Sequence, residues 1–86
     1  MPEVSRFFGI VIRMYFDDHN PPHFHAEYGS EQVVVDIANL SIIAGKLPPR
    51  AIGLVAEWAS SHQAELSAAW LRVRNCQPPG QIAPLE

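Results

Sequence analysis

Cys76 is the only cysteine among 86 residues, so no internal disulfide can form. Without a second thiol or a C-x-x-C pair it reads as a small hydrophobe in a reducing compartment. Charge is scarce as well. Charged residues make up 17% of the chain and the net charge is -3, which leaves no broad basic field to draw in a nucleic-acid backbone at physiological salt. Any phosphate contact has to come from a local patch. No apolar run approaches the ~18 residues a membrane helix needs, and the first residues lack the pattern of a secretion signal. A soluble, cytoplasmic protein without membrane contact is therefore expected. Also missing are G-x-x-x-x-G-K, G-x-G-x-x-G and a nucleophile elbow, which removes most of the nucleotide-binding, cofactor-dependent and serine-hydrolase classes. No cofactor is expected on these grounds.

Hydrophobic residues, at 48%, suffice for a globular core. The length suits one domain, spanning 1–86, that buries roughly 60 to 65% of the surface its unfolded chain exposes. Phe8, Ile10, Ile12, Met14 and Phe16 alternate with Phe7, Gly9, Val11, Arg13 and Tyr15, which predicts a first strand over 7–16 with one apolar face. Asp17 to Pro22 reads as a turn, because paired prolines fix φ and remove two donors. His23 to Tyr28 alternates again, and Gln32 to Ile37 and Leu40 to Ala44 form two further β-rich runs. Four strands with short connections predict an antiparallel meander over about 7–45.

Pro48-Pro49 suits the entry to a helix, and the stripe Ile52, Val55 and Ala59, with Leu54 and Trp58 beside it, carries that helix to about residue 59. Ser60 followed by Gln63 resembles a capping box, restarting a second helix whose stripe is Leu66, Ala69, Trp70 and Val73. The expected fold is thus α+β, in the order β-β-β-β-α-α, with the helices spanning about 49–75 on one sheet face. Gln77 to Glu86, with three of the eight prolines, reads as an extended tail.

Three of the four histidines, His19, His23 and His25, fall within seven positions, at the junction between turn and strand. Pairing Met14 with Phe24 and Ile12 with Ala26 aligns apolar faces and sets Arg13 opposite His25 and Tyr15 opposite His23. Pairing Phe24 with Ile37 and Ala26 with Val35 brings Asp36 beside His25, and the next pairing adds Ser41. The expectation is a polar row of Arg13, His25, Asp36 and Ser41, with neighbours roughly 5 Å apart. Asp36 would orient the His25 ring, Arg13 would offer a planar fork to an anion, and His23 and Tyr15 would complete a metal-independent, ribonuclease-like site. The plain alternative is a solvated sheet face. Against it stands the neighbouring row Val11, Glu27, Val34 and Ile43, apolar enough to be covered by a partner or a second copy of the chain. Lys46 and Arg50 flank a helix start and join Arg13 as candidate anion-binding residues. His19, His23, His25 and Asp18 form an alternative, metal-ligating set for a divalent ion, although the spacing matches no recognised finger. His62, Trp58 and Trp70 read as a helix-surface residue and two core anchors.

The segments Ser5-Arg6-Phe7-Phe8-Gly9-Ile10-Val11-Ile12-Arg13-Met14-Tyr15 and Asp18-His19-Asn20-Pro21-Pro22-His23-Phe24-His25-Ala26-Glu27-Tyr28, with Gly45-Lys46-Leu47-Pro48 and Glu57-Trp58, resemble the bacterial domain-of-unknown-function family numbered 4160. The resemblance covers nearly the whole chain. It implies a small stand-alone protein with no established activity, often encoded beside another small protein in an arrangement like that of a toxin and its antitoxin. Arg13, His19, His23 and His25 carry over as functional positions without assigned roles. Phe8 stands where tyrosine is common and Ala26 where valine is common, and neither touches the polar row. The functional expectation is a partner-binding member of such a two-gene module, whose His/Arg face contacts RNA or another anion. The alternatives are a metal-binding protein and a non-enzymatic, homo-oligomeric interaction module.

Overall fold

The computed structural model describes residues 3–86. The chain runs β1 (Glu3–Phe7), β2 (Ile10–Arg13), β3 (His23–Tyr28), β4 (Glu31–Asp36), β5 (Ile42–Gly45), α1 (Pro49–Ser61) and α2 (Gln63–Arg74). The strands form one antiparallel sheet in the order of the sequence, followed by two helices. Among the described residues the sheet has five strands where four are expected. The alternation over 7–16 conceals a two-residue turn, because Phe8 and Gly9 both take positive φ, 50° and 82°. That is the backbone of a tight hairpin whose twist matches its strands. Phe7 therefore pairs with Ile10, and Phe8, expected in the apolar face, points outward at 60% exposure. Phe16 is likewise exposed, beyond the end of β2.

The β2–β3 register is the expected one, with Ile12 opposite Ala26 and Arg13 opposite His25. The β3–β4 register differs by two residues. Phe24 faces Val35, Ala26 faces Val33, and His25 faces Val34 instead of Asp36. The cause is again a two-residue turn, Gly29-Ser30, with Gly29 at φ 60° and Tyr28 paired to Glu31. A slip of one would invert the faces, whereas a slip of two keeps every apolar side chain inward. Alternation alone could not separate the two registers. Val35 faces Ile42 as expected, across an irregularity that places Val34 opposite Ala44.

Both helices share one core cluster with the inner sheet face, in which Ile10, Ile12, Met14, Phe24, Ala26, Val33, Trp58, Leu66 and Ala69 are fully enclosed. Trp58 lies between Phe7 and Phe24, with ring centroids 5.3 and 6.0 Å away. The buried stripe of α2 is the expected Leu66, Ala69, Trp70 and Val73. The capping box does not form. The α1 helix continues to Ser61, the Ser60 hydroxyl donates back to the Glu57 carbonyl, and His62 becomes the non-helical residue between the helices. Spending a serine hydroxyl on the preceding turn removes it as a cap. Cys76 is a free thiol at an exposed position with φ 59°.

The tail beyond Gln77 has no regular structure, yet it is docked. The Ile82 N–H donates to the Val4 carbonyl at 2.9 Å, Trp58 Nε1 donates to the Ala83 carbonyl at 2.8 Å, and the Ile82 side chain is buried. The tail thereby covers the outer edge of β1. Ile82→Ala is expected to lower the free energy of urea unfolding by about 2–4 kcal/mol. Leu71→Ala, at an exposed position on α2, should stay within about 0.5 kcal/mol. Equal midpoints for the two variants would show that the tail does not belong to the core.

Candidate metal centre

The β3 strand carries His23 and His25 on the face away from the helices, because Phe24 and Ala26 fill the core on the other. Strand geometry leaves neither ring an alternative side. The Asp17–Pro22 turn then folds Asp18 back over β3. Asp18 Oδ2 lies 3.2 Å from His25 Nε2, and Oδ1 lies 3.5 Å from His23 Nε2. All three side chains are half-buried, and one ligand atom from each falls within 4.8 Å of the others.

The carboxylate is held in place by its own loop. The Tyr15 N–H donates to Asp18 Oδ2 at 3.1 Å and the Asp18 N–H donates to the Tyr15 carbonyl at 3.2 Å. Arg74, from the last turn of α2, donates from Nη1 to the Asp18 carbonyl at 3.0 Å. The His23 ring is oriented by Nδ1, 2.7 Å from the Pro21 carbonyl. A carbonyl oxygen only accepts, so Nδ1 is the protonated nitrogen and Nε2 faces the carboxylate. Trp70 packs against this ring at a tilt, with centroids 5.2 Å apart. Tyr15 meets the His25 ring edge-on at 4.6 Å.

Around this centre the expected roles are redistributed. Asp36 pairs across strands with His23 rather than His25, and its carboxylate accepts from the Ala38 and Asn39 N–H groups of the β4–β5 turn. The two-residue difference in register carries Asp36 away from His25, and Asp18, folded back by the turn before β3, stands against that ring instead. The row through Arg13 and His25 continues to Val34 and Ala44, and the row beside it runs Val11, Glu27 and Gln32. That second row is more polar than expected, which removes the argument that a partner must cover it. Tyr15 lies past the end of β2, so no strand pair sets it opposite His23.

Arg13 Nε donates to Glu27 Oε1 at 3.1 Å and the Tyr15 hydroxyl donates to Glu27 Oε2 at 3.2 Å. Arg13 thus spends its Nε and its charge on a carboxylate of the same face. Lys46 lies 3.8 Å from Glu31, and Arg50 lines a separate cavity with Phe8, Tyr28 and Leu54. The three proposed anion-binding cations therefore do not converge. His19 is exposed in the turn and stands outside the cluster, leaving Asp18, His23 and His25 of the four expected ligands. A shallow cavity of about 340 Å³ adjoins His25, lined by Tyr15, Gln32, Val34, Ala44 and Gly45.

Glu27, Trp70 and Arg74 are missed by sequence reasoning. Glu27 had a signal, since it shares the strand parity of His25. Trp70 and Arg74 had none, because nothing local links α2 to the histidine turn. Burial and the hydrogen bond to Glu27 push the Tyr15 phenol above its ordinary value. The raised value contributes stability that is complete below the unfolded tyrosine value of about 10 and is lost as pH rises through the folded one. In a Tyr28→Phe variant, Tyr15 is the remaining tyrosine, and its phenolate absorbance should develop at higher pH in the folded than in the unfolded chain. Glu27→Gln should move it part of the way back, and coincident folded and unfolded curves would refute this account.

Residues 9–71 match the family model described as Domain of unknown function (DUF4160). No curated protein and no solved structure matches the chain. The matched span includes Tyr15, Asp18, His23, His25 and Glu27 and ends before Arg74.

Proposed function

The chain belongs to the DUF4160 family, whose function is unknown, and from that premise we propose that it binds a divalent transition-metal ion through Asp18, His23 and His25. The carrying observation is the approach of the Asp18 oxygens to the two imidazole nitrogens, at 3.5 and 3.2 Å. Donor atoms roughly 2.0–2.1 Å from a tetrahedral zinc stand about 3.3 Å apart, and one donor atom from each of these three residues already lies within 4.8 Å of the others, so side-chain movements on the order of 1 Å would close them on an ion. The bonding of His23 supports the same reading. With Nδ1 donating to Pro21, His23 turns Nε2 toward a carboxylate, and a ring nitrogen and a carboxylate oxygen in that position call for a proton or a cation between them.

Two imidazoles and one carboxylate suit zinc or ferrous iron, while magnesium and calcium favour oxygen shells. Three protein ligands leave a coordination position for water or a substrate atom. Untagged protein is expected to take up one equivalent of Zn2+ and to gain thermal stability on doing so. Asp18→Asn and the double variant His23→Ala/His25→Ala should abolish uptake, while His19→Ala should leave it unchanged. Wild type that takes up no more zinc than the double variant would overturn the reading.

A second reading keeps the chain as a cytoplasmic, partner-binding member of a bacterial two-gene, toxin–antitoxin-like module, with RNA as a further contact. One observation favours a protein partner: a cavity of about 380 Å³ at the far end of β3 from His23, walled by Phe8, Tyr28 and Leu54, with Phe8 and Tyr28 both exposed. Exposed aromatic side chains around an apolar hollow are common where proteins meet. In a growth assay on induced expression, wild type should be toxic, the His23→Ala/His25→Ala form harmless, and co-expression of the neighbouring gene should restore growth. Equal growth of both forms would remove the toxin reading.

A further inference from the structure

We propose that metal occupancy of this centre is coupled to the docking of the last turn of α2, with Trp70 and Arg74 as its positioning residues; the proposal rests on the metal-binding reading above. The three ligands differ in how firmly they are placed. His23 and His25 belong to a strand paired on both sides, with Phe24 and Ala26 locked in the core between and beside them. Asp18 belongs to a stretch without regular structure between β2 and β3. The carboxylate is thus the ligand whose position depends on additional contacts.

Apart from the reciprocal bonds to Tyr15, the contact on the Asp18 backbone comes from Arg74, at 3.0 Å. Its guanidinium also lies over the Trp70 ring, 5.9 Å from the centroid, and Trp70 in turn backs the His23 ring at 5.2 Å. One helical turn therefore touches two of the three ligands. Trp70 is held in the core with only 3% of its surface exposed, so it gives Arg74 a fixed platform. Supporting contacts of this kind set the affinity of a site by holding its ligands in the bound geometry. Coupling is reciprocal: if a docked α2 turn favours the bound arrangement, a bound ion must favour the docked turn by the same factor. Arg74 lies beyond the span matched by the family model, so this support is argued from this chain's own residues.

The test compares wild type, Arg74→Ala and Arg74→Lys in a zinc competition assay against a chromophoric chelator, together with hydrogen exchange at residues 70–76 with and without Zn2+. Arg74 is exposed, so zinc-free urea unfolding should be nearly superimposable for the three proteins. Zinc affinity should fall about tenfold in Arg74→Ala and recover in Arg74→Lys, which keeps a donor and a cation for the same carbonyl and ring. Zinc should slow exchange at residues 70–76 in wild type and much less in Arg74→Ala. Wild type and Arg74→Ala binding zinc equally would overturn the coupling and leave the metal site standing. A tenfold loss without recovery in Arg74→Lys would overturn the positioning role. A wild type that binds no zinc would overturn both proposals.

Discussion

The site depends on the alternation of β3. Phe24 and Ala26 are fully buried against the helices, and the pleat then obliges His23 and His25 to project from the opposite face. Rotating the histidines away would require removing Phe24 from its edge-on contact with Trp58. The core and the histidine pair are therefore two consequences of one packing arrangement. The same alternation continues to Glu27, which joins Tyr15 and Arg13 beside the centre.

The third member of the cluster comes from a different kind of structure. Asp18 sits in a turn closed by reciprocal bonds to Tyr15, so its carboxylate is directed toward β3 and away from water. A strand supplies precision and a turn supplies reach, and the carboxylate crosses to both rings only through the second. The α2 helix, arriving from the far end of the chain, adds Arg74 and Trp70 around this turn. The protein thus draws one small polar cluster from a loop, a central strand and a terminal helix.

The recurrent cause of differences between expectation and structure is the tight turn. Phe8-Gly9 and Gly29-Ser30 each close a hairpin with two residues. The first divides an apparently continuous strand and produces β1. The second moves the β3–β4 pairing by two positions and carries Asp36 away from His25. At the second turn the inward face is the expected one, because a pattern of period two is blind to a displacement of two. At the first, the turn reverses the expected parity, so that Phe7 is buried and Phe8 exposed. The helices were more legible. Their stripes run through Val55, Trp58, Leu66, Trp70 and Val73, and a period of 3.6 leaves less freedom for an equivalent alternative.

The amino-acid sequence by itself determined the α+β class, the side of the sheet that is buried, the family, and the concentration of imidazole at one turn. These follow from local periodicity, from proline and glycine chemistry, and from a motif continuous in the chain. Only the tertiary structure decided which carboxylate meets the histidines, that Arg13 is matched by Glu27, and that Trp70 and Arg74 belong beside a turn more than forty residues earlier. The reason is physical: contacts between distant segments are set by hairpin geometry and by how helices pack on a sheet, and neither is written in the spacing of the residues that meet.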